Sequence, residues 1–187
     1  MKTGIFLSYR GLGANLLHLT YCHQIAKKFG PVSLITLCPN LDKALKDDPA
    51  FSEIIYLDKF HKKFFDLFKM SNFLKKFDFE NIFIFYPSLR HYLSSKFAGI
   101  KNIYHYPLFK KKNLHLVKAA KKFTEISLDI ENCPTESTFV IKDNKAKQFK
   151  KSGIKKIILG ISSSGQTTKW GYLNYLKKKK KLNAFGE

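Results

Sequence analysis

The chain has 187 residues, a formal net charge of +20, and 44% hydrophobic and 15% aromatic residues. That size and apolar content suit one good core with the start of a second, and exclude a disordered tail as the main theme. No apolar run approaches the roughly 20 residues of a membrane span.

The apolar run in MKTGIFLSYRG is too short for a signal peptide and is closed by Arg10, so a cytoplasmic chain is expected. Arg10 and Arg90 are the only arginines, and lysine supplies nearly all the positive charge. Proteins that read phosphates and base edges usually add arginine forks, so nucleic acid is not the expected partner. A solvated basic surface accounts for most of the lysines. An acidic partner is left open, whether phospholipid head group, phosphorylated sugar or nucleic acid, and a peripheral contact with the anionic inner face of the cytoplasmic membrane is one form of it. Cys22, Cys38 and Cys133 are odd in number and scattered, which reads as reduced thiols without a zinc site.

In chain order, GIFLS (4–8) predicts a buried strand. LLHLTYCHQIAKKF (16–29) predicts a helix, with Leu16, Leu19, Ile25 and Phe29 near one face. VSLITL (32–37) is a second strand, LDKALKDD (41–48) a short helix stopped by Pro49, and EIIYLD (53–58) a third strand. KKFFDLFKMSNFLKKF (62–77) is a long helix and ENIFIFYP (80–87) a fourth strand. LRHYLSSKFAG (89–99) is a helix with Gly99 as its stop, NIYHY (102–106) a fifth strand, and LHLVKAAKKF (114–123) a further helix. Continuous apolar strands alternating with helices predict an α/β fold, a Rossmann-like doubly wound parallel sheet. The rhythm then changes. ENCPTESTFVI (131–141) reads as a connection ending in a strand, DNKAKQFKKSG (143–153) as a basic helix, and IKKIILGISSSG (154–165) as a strand and turn opening a second α/β domain.

RGLGANLLH joins the first strand to its helix, and ligands of open α/β sheets bind outside the carboxyl ends of the strands. Gly11 and Gly13 there would let a ligand approach the backbone, or would simply ease a tight turn. The helix start offers N–H groups and partial positive charge to an anion.

The same stretch resembles the N-terminal signature of the ADP-heptose:lipopolysaccharide heptosyltransferases, glycosyltransferase family 9. In that signature a Gly-Asp pair is followed by two apolar residues, a His and a hydrophobic helix. Aligned on NLLH, Ala14 takes the Gly position, Asn15 the Asp and His18 the His. PNLDKALKDDPAFSEIIYLD, SLRHYLSSKFAGIKNIYHY, NLHLVKAAKKF and ILGISSSGQTTKWGY resemble later family segments in order, so the resemblance spans residues 1–172. It implies a GT-B glycosyltransferase with an acceptor-side domain at 1–130, a connection at 131–153 and the beginning of a nucleotide-sugar-binding domain at 154–187. It also implies inverting, metal-independent transfer without a cofactor. The donor would be a nucleotide-diphosphate sugar, ADP-linked, and the acceptor a cell-envelope polysaccharide or lipid.

In such a reaction the family Asp is the expected base for the acceptor hydroxyl. Asn15 can orient a hydroxyl but accepts no proton at neutral pH. His18, one helical turn on, is a second catalytic candidate, or a buried helix histidine satisfied by backbone. Gly13, Ala14 and Arg90 are the acceptor-binding candidates, with a structural salt bridge as the other reading of Arg90. By resemblance Ser163, Ser164, Thr168 and Lys169 contact the donor diphosphate, although Gly171 stands where the family has Pro. The lysine run Lys177–Lys181 and the LNAFGE that follows suggest truncation by a frame slip, so this chain is expected to be inactive in transfer. The alternative is a non-catalytic α/β module that binds an acidic glycan, a lipid surface or nucleic acid.

Overall fold

A computed structural model describes residues 2–57, 66–107, 115–138 and 140. The chain divides between Lys142 and Asp143, and every described residue lies in the first unit. The helix and strand expected at 143–165, and with them Ser163, Ser164, Thr168 and Lys169, lie outside the described residues.

Five parallel strands form one sheet: β1 (Thr3–Leu7), β2 (Val32–Thr36), β3 (Phe51–Tyr56), β4 (Asn81–Ile84) and β5 (Asn102–His105). Their order is β3-β2-β1-β4-β5, and each pairs in parallel with its neighbours. This is the expected doubly wound, Rossmann-like sheet. β1, β2 and β4 are buried along their whole length, because side chains alternate between two covered faces. Ile5, Leu7, Leu34, Phe83 and Phe85 enter one core, while Phe6, Ile35, Ile82 and Ile84 enter the other.

The first face carries α2 (Leu19–Phe29), α3 (Leu41–Leu45) and α6 (Leu116–Leu128); the second carries α4 (Asp66–Lys75) and α5 (Leu89–Phe97). α2 and α6 are tied by the Tyr21 hydroxyl, which donates to the Val117 carbonyl at 3.0 Å. Lys28 Nζ donates to the Leu128 carbonyl at 2.6 Å, at the negative end of α6. Gly30 and Gly99 end α2 and α5 at φ of 82° and 83°, backbone that other residues adopt only under strain.

The structure moves several of the expected boundaries: β3 runs Phe51–Tyr56 where 53–58 was expected, and β4 ends at Ile84, three residues short of Pro87. The helix expected over 16–29 is two: α1 (Leu12–Leu16) opens inside the glycine turn, and α2 begins after a break at Leu17–His18. α3 ends at Leu45, three residues short of the expected Asp48. α6 continues to Leu128, five residues past the expected Phe123, because Thr124 and Leu128 remain apolar-facing and buried. Of the expected connection, 131–138 carries neither helix nor strand.

Candidate functional site

The chain runs from β1 outward through β2 to β3, then crosses back to lay β4 on the other side of β1. The sheet therefore reverses direction between β1 and β4, and a crevice opens outside the carboxyl ends of those two strands. Its walls are Ser8–Gly11, after β1, and Phe85–Ser88, after β4. The sequence pattern placed the glycine turn at a strand end. Only the strand order puts Tyr86 and Ser88 opposite it.

The two walls are linked directly. The Tyr9 hydroxyl donates to the Phe85 carbonyl at 3.0 Å, and its ring meets that of Tyr86 edge-on at 5.9 Å. Burial, with Tyr86 beside it, pushes the Tyr9 hydroxyl up to about 12, so it stays protonated at neutral pH. Ser8 Oγ and His91 Nδ1 share a 3.0 Å hydrogen bond across the crevice, and His91 stacks on Phe6 at 4.1 Å. Ser88 caps α5, its Oγ accepting from the His91 N–H at 3.4 Å.

Asn15 lies beneath this floor, fully buried. Its amide nitrogen donates to the carbonyls of Tyr9 and Gly11 at 2.9 and 2.7 Å, and its Oδ1 accepts from the Thr36 hydroxyl at 3.2 Å. Thr36 Oγ1 in turn accepts from the Cys38 N–H at 3.0 Å. One side chain thus fastens the turn after β1 to the end of β2. Both amide protons are committed to the backbone, so the geometry that sequence reasoning assigned to acceptor chemistry is here a structural clamp. A carboxylate in the same place would have no proton to give either carbonyl.

His18 is also fully buried. At the helix break its own N–H bonds to the Asn15 carbonyl, leaving the Ala14 carbonyl to the side chain: Nδ1–H donates to it at 2.6 Å. The ring stacks on Tyr9 at 4.9 Å and meets Phe85 edge-on at 5.3 Å. Burial lowers its pKa, outweighing the bond to Ala14, so the imidazole is neutral. Of the two alternatives for this residue, the backbone-satisfied helix histidine describes its Nδ1. Its Nε2 and the Tyr106 hydroxyl are buried without a hydrogen-bond partner among the described residues.

The remaining candidates are shallower. Gly13 is exposed and Ala14 half-buried on α1, and Arg90 is half-buried at the second residue of α5. A Cβ added at Gly11 or Gly13 would meet nothing within 4 Å among the described residues, and Gly11 has an ordinary φ of −78°. Neither glycine is required by turn geometry or packing, so the space in front of them is open. Ser8, Tyr9, Tyr86 and His91 were not among the sequence candidates. The signal for Ser8, Tyr9 and Tyr86, a polar or aromatic residue just after an apolar strand, becomes specific only when two such strands are known to be neighbours, and His91, inside α5, carries none.

Ser8, Ser88, Arg90 and the 41%-exposed Tyr86 stand on the segments that border the crevice, residue types that suit a polyhydroxylated, partly anionic ligand. No protein-family model matches the chain, and no curated protein matches it. A solved structure does: the crystal structure of the glycosyl transferase family 9 from Veillonella parvula DSM 2008, with a TM-score of 0.62 at 15% identity. The two chains share a fold. The match covers 99% of this chain and 60% of the other, so this chain spans 60% of the length of the structure it resembles. At that identity the likeness speaks for the Rossmann-like architecture, and the residues of the crevice are this chain's own.

Proposed function

We propose that the described unit is the acceptor-binding unit of a GT-B glycosyltransferase. Such an enzyme passes a sugar from a nucleotide-diphosphate donor to a cell-envelope saccharide or lipid. The observation that carries this reading is the fold match to a glycosyl transferase over 99% of the chain, with the glycine turn at the crevice where the sheet reverses. In an inverting transfer the acceptor oxygen attacks the anomeric carbon, the bond from that carbon to the diphosphate oxygen breaks, and the acceptor proton passes to a base. Tyr86, Ser8 and Arg90 would hold the acceptor, and the open space before Gly11 and Gly13 would admit it. Ser163, Ser164, Thr168 and Lys169 would hold the departing diphosphate by hydrogen bonds and charge, without a metal. The heptosyltransferase specificity and the ADP-linked donor are part of the same proposal, on the sequence resemblance.

The proton needs a recipient other than Asn15, whose amide is spent on two carbonyls. The imidazole of His91, buried behind Ser8 and reached through the Ser8 hydroxyl that bonds to its Nδ1, is the recipient we assign. A second reading, a module that binds an acidic glycan without transfer, is favoured by the same commitment of Asn15.

The test is calorimetric titration of the chain with delipidated envelope oligosaccharides, alone and with nucleotide-diphosphate sugars, alongside an assay for nucleoside diphosphate release. Binding that is lost in Ser8→Ala and Arg90→Ala supports the crevice. Binding with release supports transfer, and binding without release supports the module. No binding to any saccharide sinks both.

A further inference from the structure

α4 and α5 lie side by side over the second core, joined where the Ser94 hydroxyl donates to the Leu67 carbonyl at 3.3 Å. Their inner faces are buried in the ordinary way, through Leu67, Met70 and Leu74 on α4 and through His91, Ser94 and Ser95 on α5. The outer surface is unusual in two respects. First, it is apolar where a solvated helix pair would be polar: Phe68 and Phe97 are 54% and 51% exposed, and their rings stack on each other at 5.8 Å. Leu89, at the start of α5, is 53% exposed. Second, its charge has a single sign. Lys69 adjoins Phe68, Lys96 adjoins Phe97, and Lys75 and Lys76 continue the exposed side of α4. The one acidic residue on either helix, Asp66, is buried.

We propose that this α4–α5 surface docks the protein on an anionic lipid bilayer, Phe68 and Phe97 entering the headgroup boundary while the flanking lysines meet lipid phosphates. The pairing of exposed aromatics with two helices that expose lysines and no acid is the composition that binds such an interface. A second protein copy fits less well. Three half-exposed side chains offer roughly 300 Å², against about 800 Å² per partner in a standard protein interface, and two copies would bring like charges together. The proposal does not rest on sugar transfer. It places the membrane on the second face of the sheet, with the crevice at the start of α5 left open beside it.

The experiment is flotation of the full chain with vesicles of phosphatidylcholine containing phosphatidylglycerol, and with phosphatidylcholine alone, at physiological salt. Because the chain carries +20 overall, the variants must separate this face from general charge. Lys69→Gln with Lys96→Gln should weaken partitioning about thirtyfold, from roughly 1 kcal/mol per lysine. Lys118→Gln with Lys122→Gln, the same charge change on α6 across the sheet, should weaken it no more than about threefold. Phe68→Ser with Phe97→Ser, which alters no charge, should cost about tenfold. All three pairs change exposed side chains, and unchanged circular dichroism confirms that each variant folds. Equal losses from the two lysine pairs, or no loss from the phenylalanine pair, would assign binding to net charge and overturn the proposal. Wild-type chain that ignores the vesicles but self-associates through Phe68 and Phe97 would overturn it in favour of a dimer.

Discussion

Replacing Asn15 by Asp changes one atom group, and the structure makes it a severe change. The amide nitrogen that donates to the Tyr9 and Gly11 carbonyls becomes an oxygen facing both at under 3 Å. Two buried hydrogen bonds vanish, at about 1–3 kcal/mol each: the Tyr9 carbonyl loses the amide donor, and the Gly11 carbonyl keeps only the 3.4 Å bond from the backbone N–H of residue 15. The expected loss is therefore roughly 4 kcal/mol at pH 7, a large share of the 5–15 kcal/mol typical of a domain. The substituted carboxyl would escape part of this by staying protonated, since burial beside two carbonyl oxygens raises its pKa in the fold above the unfolded value of about 3.9. With a raised folded pKa, the native state holds a proton that the unfolded state releases. Stability then falls as pH rises above about 4, by up to about 1.4 kcal/mol per unit, until the folded pKa is passed. Urea unfolding of wild type and Asn15→Asp at pH 4.5, 6.0 and 7.5 reads both quantities directly. The variant should be closest to wild type at the acid end and weakest at pH 7.5. An Asp variant as stable as wild type at pH 7.5, with the same pH dependence, would refute the clamp. It would return position 15 to the role that the heptosyltransferase resemblance gives it.

Three further outcomes follow from the same geometry. His18 is held neutral by burial, so the unfolded chain binds a proton that the fold excludes, and wild-type stability should drop as pH falls below about 6.5. His18→Phe should flatten that drop in thermal midpoints compared at pH 7.5 and 5.5, and equal drops would show that the histidine does not cause it. Gly13→Ala, inside α1 with open space before it, should stabilise the fold by about 0.5–1 kcal/mol while weakening saccharide binding in the calorimetric titration. A gain in stability with binding untouched would mean that no ligand approaches there. Asp48 is buried and accepts from His23 at 2.8 Å and from the Ala50 N–H at 3.1 Å. Asp48→Ala should cost about 2–3 kcal/mol in urea unfolding, and a loss under 0.5 kcal/mol would show the pair to be incidental.

What the sequence determined by itself was the succession of elements. GIFL, VSLIT and NIFI are continuous apolar runs, and such runs between helices are the mark of strands buried on both faces; each became a strand paired in parallel with its neighbours. Local pattern also placed the glycine turn at a carboxyl strand end, because that depends on nothing beyond a dozen residues. It failed at Leu17–His18, where apolar periodicity runs through a break made by one backbone bond shifting from Ala14 to Asn15 and a side chain taking the vacated carbonyl. The roles of the individual residues belonged to the tertiary structure alone. Asn15 reads as a substituted base until Thr36 and the Tyr9 carbonyl are seen around it, and His91 carries no signal until β4 is laid beside β1 and Ser8 comes within 3.0 Å. Hydrogen-bond partners that stand 21 and 83 residues apart leave no local pattern. They meet because the order of strands brings them together.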